Sequence, residues 1–186
     1  VDNFKAYISD FSDNVLDILA RMDFNAQINH MEEAGLLYQV NSDFCSEKGD
    51  FSPEKISAVD MGYVFENLVR RFSESYNEEA GAHFTSRDII YLMSDLLVAG
   101  DDNAFTGDGI SKTVYDMTMG TSQMLTCMEE RLKQMDADAD VTVFGQEFNP
   151  FTFGIAKADM LIRGGDPNNM QFGDTLSDDK FSGYKF

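Results

Sequence analysis

Apolar residues recur at three- and four-residue spacings from the start of the chain. Phe4, Ile8, Phe11, Val15, Ile18 and Leu19 fall on one face of an amphipathic helix. A polar stretch, residues 41–53, breaks the pattern as a loop, and Pro53 suits the start of the helix that follows. Met61, Phe65, Leu68, Phe72 and Tyr76 mark the face of that helix. For both stripes the expectation is core packing. Further on, Thr85 with Asp88 three residues later forms a capping-box pattern ahead of Ile89, Ile90, Leu92, Met93, Leu96 and Leu97.

Beyond a Gly- and Asp-rich loop at residues 100–109 the rhythm changes. Residues 112–116 are a short strand candidate, 117–123 a turn, and Met124, Leu125, Met128, Leu132 and Met135 a helical stripe. After an acidic loop, residues 141–145 form a second strand candidate, 151–163 a helix and 170–173 a third short strand. Strands alternating with helices predict an α/β fold with a mostly parallel sheet.

Composition narrows this only in part. The 186 residues are 43% hydrophobic and 25% charged, enough to build a core. No apolar run reaches the ~18 residues that would suggest a membrane span. Residues 1–10 have no basic and apolar secretory pattern. The chain opens on Val1 without a Met, so an upstream part is expected. Cys45 and Cys127 stand far apart and predict two thiols rather than a disulfide or a zinc site. Asp136, Asp138, Asp140 and Glu147 have the spacing of a calcium loop. Val141 occupies the position that needs glycine, however, and a strand replaces the exiting helix, so no metal is expected. The formal charge of -19 argues against unaided grip on duplex DNA, which depends on Lys and Arg neutralising phosphates.

In open parallel sheets, ligands bind at the carboxyl ends of the strands. Asp116 ends the first strand, Glu147 follows the second and Asp174 follows the third. Gly120 permits close backbone approach, and Thr121 stands where a helix opens. A nucleoside-type ligand is one use of such acidic strand ends; helix capping is another.

Several motifs, taken in order, resemble a known family. Asp116-Met117-Thr118-Met119-Gly120-Thr121-Ser122 is similar to the S-adenosylmethionine motif of amino-methyltransferases, Asp-Pro-x-x-Gly-Ser/Thr-Gly. Gly145-Gln146-Glu147 resembles that family's Gly-x-Glu segment, and Gly173-Asp174-Thr175-Leu176 its third motif. Upstream, Gly81-Ala82-His83-Phe84-Thr85-Ser86 and Met61-Gly62-Tyr63-Val64-Phe65-Glu66 look like the elements that precede the first strand in modification (M) subunits of type I restriction-modification systems. The resemblance is to N6-adenine DNA methyltransferases of that class. It implies an incomplete Rossmann-like S-adenosylmethionine-dependent methyltransferase sheet preceded by a helical segment. Residues 1–60 would be a helical N-terminal extension and residues 61–186 the cofactor-binding part of the methyltransferase domain.

The resemblance also implies roles. Phe84 and Thr85 would line the methionine moiety of S-adenosyl-L-methionine, with His83 beside them. The turn from Asp116 through Gly120 and Thr121 to Ser122 would approach its amino and carboxylate groups. Glu147 would hold the ribose hydroxyls and Asp174 would accept from the adenine amino group. A specificity subunit and a restriction subunit would be partners, DNA would be met through the full complex, and the setting would be cytoplasmic. The sequence departs from the family pattern at Met117, Ser122 and Ser86, which replace Pro, Gly and Pro. The catalytic Asn/Asp-Pro-Pro-aromatic motif is absent and would lie beyond Phe186, so the fragment alone is expected to be inactive. A non-catalytic assembly module with a degenerate methyltransferase fold is the alternative. A nucleotide-dependent oxidoreductase is disfavoured because no Gly-x-Gly-x-x-Gly follows the first strand candidate.

Overall fold

The computed structural model describes residues 2–75, 85–100 and 109–186. Tyr76, His83 and Phe84, and most of the predicted 100–109 loop, lie outside the described residues. Four short helices, α1 (Asp2–Ser9), α2 (Asp13–Arg21), α3 (Phe24–Glu33) and α4 (Leu37–Phe44), lead to the longer α5 (Ala58–Ser75) and to α6 (Arg87–Val98). Then come β1 (Ser111–Asp116), α7 (Gln123–Met135), β2 (Asp140–Glu147), α8 (Pro150–Ile162) and β3 (Met170–Phe172). The strands form one parallel sheet in the order β1-β2-β3, with Asp116 opposite Gly145 and Gly145 opposite Met170.

The alternating pattern therefore predicts the sheet correctly, and the helical region is where local reading fails. The first stripe is two helices, not one, because the chain turns at residues 10–12 between α1 and α2. Of that stripe Ile18 is buried but Phe11 stays exposed, and Leu68 on α5 is exposed too. Asn41, Ser42 and Asp43 belong to α4 rather than to a loop. The Asn41 side-chain amide donates back to the Leu37 carbonyl one turn earlier, a bond that a polar residue inside a helix can make. Pro53 opens a turn, and α5 begins later, where Ser57 Oγ accepts from the Asp60 N–H at 3.1 Å as an N-cap. The predicted Thr85–Asp88 box does not form. The carbonyl of Ser86 accepts the first helical bonds, from Ile89 and Ile90, so Ser86 is the N-cap, and its side chain makes no capping bond.

Strand alternation sorts the sheet into two faces. On one face α7 and α8 cover the strands, with Met119, Leu125, Val143, Phe153, Ala156, Met160 and Met170 as the core. Burying each of these side chains except Ala156 fully contributes about 1.5–3 kcal/mol. On the other face Tyr115 and Phe144 meet Phe181, Tyr184 and Phe186 at ring separations of 4.9–5.7 Å. A Cβ at Gly145 would overlap Met119 Sδ, so a larger residue there would force that side chain to move.

Of the N-terminal helices, α2 docks on α8. Lys157 Nζ reaches Asp17 at 2.8 Å, and the Arg21 guanidinium lies over the Phe153 and Phe172 rings at 4.7 and 4.2 Å. Partial burial works against ionisation of Asp17, but Lys157 and then Arg21 outweigh it and hold its carboxyl below the usual range. Cys127 is a free, buried thiol. Burial raises its pKa to about 11, so it is neutral and unreactive at physiological pH. Among the described residues no helix is long and apolar enough to cross a membrane.

Candidate cofactor cleft

The chain leaves β1 at Asp116 and must turn sharply to start α7 under the sheet edge. The turn is closed by two backbone bonds, Met119 N–H to the Gln146 carbonyl (3.0 Å) and Ser122 N–H to the Met119 carbonyl (2.8 Å). Two residues take left-handed backbone angles, Gly120 (φ 55°) and Ser122 (φ 66°). At Gly120 a Cβ would meet nothing within 4 Å, so glycine there serves the backbone angle and the open approach, not a steric gap.

Glu147, at the end of β2, ties this turn to the neighbouring strand. One carboxylate oxygen accepts the Gly120 N–H at 3.0 Å and the other accepts the Asn149 N–H at 2.7 Å. Asn149 in turn caps α8, accepting from the Phe151 and Thr152 N–H groups, with Pro150 as the first helical residue. The side chain of Glu147 is therefore preorganised from both sides. Asp116 accepts the Thr118 N–H at 3.0 Å. Burial pushes its carboxyl above the ordinary range; the Thr118 hydrogen bonds oppose this, and the nearby charge of Glu147 adds to it.

A cleft of about 620 Å³ opens here, lined by Thr85, Asp116, Gly120, Thr121 and Glu147 among others. Five of the nine sequence-predicted residues thus share one cavity. His83 and Phe84 lie outside the described residues. Ser122 and Asp174 do not line the cleft. Ser122 is fully buried beneath the turn. Asp174 uses its carboxylate within its own turn, accepting from the Leu176 N–H and the Ser177 hydroxyl.

Sequence reading missed the apolar wall, to which Met93 and Leu97 of α6 and Met124 and Met128 of α7 contribute. Each pair is spaced by one helical turn, but nothing local indicates that the two helices face the same cavity. Behind the cleft, a cavity of about 20 Å³ touches Thr121 and Gln123 on one side and Glu66, Thr126, Asp159 and Arg163 on the other. It is large enough for one water molecule.

Ser122 is the strained point of the turn. A non-glycine residue at this backbone angle costs roughly 1–2 kcal/mol, and its buried hydroxyl has no hydrogen-bond partner, a further cost of about 1–3 kcal/mol. Glycine would return about 0.4–1 kcal/mol of this through unfolded-state entropy. Ser122→Gly should therefore stabilise the chain by about 1 kcal/mol or more. The readout is the urea midpoint at unchanged slope; a lower midpoint would show that the hydroxyl or the Cβ contributes packing that outweighs the strain.

The chain matches the family model for N-6 DNA methylases over residues 57–186. It is 30% identical over 114 residues to the type I restriction enzyme HindI methylase subunit of Haemophilus influenzae, covering 60% of this chain and 24% of that protein. To the MpnII methylase subunit of Mycoplasma pneumoniae it is 24% identical over 178 residues, covering 95% of this chain and 30% of that protein. Among solved structures it is similar to the type I restriction-modification methyltransferase subunit of Streptococcus thermophilus, with a TM-score of 0.51 at 25% identity over 66% of this chain and 25% of that one. A class I S-adenosylmethionine-dependent methyltransferase of Listeria monocytogenes shares the fold, with a TM-score of 0.53 at 14% identity over 87% of this chain and 53% of that one. The chain spans between a fifth and a third of the length of the curated relatives it matches.

Proposed function

The chain belongs to the N-6 DNA methylase family, and from that premise we propose that its cleft binds S-adenosyl-L-methionine for methyl transfer to adenine N6 in DNA. The observation that carries this reading is the bond from Gly120 N–H to Glu147. It locks the two strand ends together around the cleft and presents a fixed carboxylate at its rim. A carboxylate has about four acceptor sites, so Glu147 keeps capacity for the two ribose hydroxyls while holding Gly120 and Asn149. The cavity volume falls in the range of about 300–1,000 Å³ typical of small-molecule sites.

In this reading Asp116 and the turn at Gly120 and Thr121 receive the methionine ammonium and carboxylate, with Ser122 buried behind them. Thr85, with His83 and Phe84 outside the described residues, covers the methionine chain. The methionine-lined wall of α6 and α7 excludes water from the sulfonium. Asp174 lies outside the cleft lining, on a turn bonded to Glu147 and Met117, and would accept from the adenine amino group where the ligand extends past Glu147. The cofactor supplies an electrophilic methyl group; the residues of this chain bind and orient it. No Asn-Pro-Pro-aromatic sequence occurs among the 186 residues, and none of them is assigned to positioning the target base.

The setting we infer is a cytoplasmic type I restriction-modification complex, with specificity and restriction subunits as partners. A charge of -19 leaves most phosphate contact to a basic partner, because affinity for DNA depends on neutralised phosphates. The second reading, an assembly module without chemistry, is favoured by one feature, the strained Ser122 where the family pattern has glycine.

Calorimetric titration with S-adenosyl-L-methionine separates the two. Saturable binding in the micromolar range is expected, weakening on acidification as Asp116, with its raised pKa, loses the charge that meets the ammonium. No heat at millimolar cofactor would overturn the cofactor reading and leave the assembly module.

A further inference from the structure

Gln146 lies between Gly145 and Glu147; its carbonyl closes the turn at Met119, but its side chain has no role in the site described above. It is fully buried, and its side chain serves a distant segment. Its Oε1 accepts the Lys180 N–H at 3.0 Å, and its Nε2 donates to the Asp178 carbonyl at 2.9 Å. On the adjacent strand, the Tyr115 hydroxyl donates to the Asp179 carboxylate at 2.9 Å, which also accepts the Phe181 N–H at 2.9 Å. Burial and this carboxylate push Tyr115 up to about 12, so it remains a donor at neutral pH.

These bonds fasten residues 178–181 to the strand ends, and the Asp178 and Ser177 N–H groups bond the Asp174 carbonyl at 2.9 and 3.2 Å, which joins this segment to the turn that carries Asp174. Gly173 N–H bonds to the Glu147 carbonyl at 3.0 Å. The Thr175 hydroxyl donates to the Met117 carbonyl at 2.6 Å, tying the turn to the loop that follows β1. Asp174 itself is aimed by the Leu176 N–H and the Ser177 hydroxyl, at 3.1 and 3.0 Å. A carboxylate that reads an amino group must be held to about 0.5 Å by surrounding bonds. The Gln146 amide provides that support from inside the protein, where water cannot compete.

We propose that Gln146 is a positioning residue that sets selectivity for a 6-aminopurine by fastening the turn that carries Asp174. The proposal rests on the cofactor reading above, in which Asp174 meets the adenine amino group. Leucine at position 146 has similar volume but leaves the Lys180 N–H and the Asp178 carbonyl without their partner. Glutamate keeps the acceptor for Lys180 and loses the donor to Asp178.

The test compares binding of S-adenosyl-L-homocysteine and S-inosyl-L-homocysteine, which carries a 6-oxo group in place of the amino group, together with hydrogen exchange at residues 174–181. Wild type should prefer the adenosyl ligand by about tenfold or more, the scale of a hydrogen bond to a charged group. Gln146→Leu should bring that preference close to unity and speed exchange of the Lys180 amide, while exchange at Val143 stays unchanged. Gln146→Glu should fall between the two. Should the leucine variant not fold, the glutamate variant decides by the same pair of readouts.

A preference that survives faster exchange would overturn the positioning role, as would exchange that does not change. Equal binding of the two ligands by wild type would remove the Asp174 assignment itself, and this proposal with it.

Discussion

Glu147→Ala should weaken S-adenosyl-L-methionine binding by about 100-fold or more, at two charge-assisted hydrogen bonds worth about 1.5–3 kcal/mol each. The loss comes from two sources. The ribose hydroxyls lose their acceptor, and the Gly120 N–H loses the partner that fixes the turn at 3.0 Å. The Asn149 N–H is also released, although Asn149 still caps α8 through Phe151 and Thr152. Glu147→Gln keeps one carbonyl oxygen and should lose only about tenfold, since neutral hydrogen bonds are about half as strong as charge-assisted ones. Titration calorimetry at fixed pH and salt measures both. An unchanged affinity in the alanine variant would exclude Glu147 from the cofactor site and remove the central support of the proposed function.

Arg87→Met should destabilise the chain by about 2–4 kcal/mol without touching any group that lines the cleft, because it breaks a mostly buried ionic cluster. Four helices meet at this cluster. Arg87 of α6 bonds Glu66 of α5 through two nitrogens, at 2.7 and 2.5 Å, and reaches Glu130 of α7 at 3.3 Å. Arg163, the C-cap residue of α8, bonds Asp159 at 3.0 Å and lies 3.7 Å from both Glu66 and Glu130. Thr126 of α7 donates to Asp159 at 3.2 Å.

Three carboxylates thus face two guanidiniums, and removing the Arg87 guanidinium leaves Glu66 and Glu130, among the described residues, with the longer contacts to Arg163. The hydrogen bonds to Glu66 hold the Arg87 guanidinium firmly protonated. Asp159 shows the cost on the other side: burial pushes its carboxyl up, opposed by Arg163 and Thr126. Lysine cannot reproduce the two-pronged bond, so Arg87→Lys should recover only part of the loss. Urea denaturation gives the comparison; a change below about 0.5 kcal/mol, the scale of an ordinary surface substitution, would show that the cluster contributes nothing net.

This cluster also explains one sequence motif in physical terms. The Met61-Gly62-Tyr63-Val64-Phe65-Glu66 stretch resembles a family element, but its sequence does not say what it does. In the structure Glu66 is the acceptor for Arg87, and Gly62 leaves room for the Arg163 side chain, whose guanidinium carbon would lie 3.0 Å from a Cβ there. Arg87 stands two residues after Thr85, so the same contact that joins α5 to α6 anchors the start of α6 beside the cleft.

The sequence by itself determined the features that depend on short-range periodicity. The first two strands, predicted at residues 112–116 and 141–145, and the helices after them follow from residue pattern, turn residues and the preference of Pro150 for a helix start; the second strand runs on to Glu147. Because ligands gather at the carboxyl ends of parallel strands, Asp116, Gly120, Thr121 and Glu147 could be named before any coordinates. Tertiary structure decided what depends on partners far away in the chain. It divided the first helix, moved the cap of α6 from Thr85 to Ser86, and left Phe11 and Leu68 exposed. It also turned Ser122 away from the cleft and brought α6 and α7 together as the apolar wall. Gln146 shows the division most clearly. Its position in a strand was legible, but its hydrogen bonds lie more than thirty residues downstream, and no local pattern encodes a contact made only when two distant backbone segments meet.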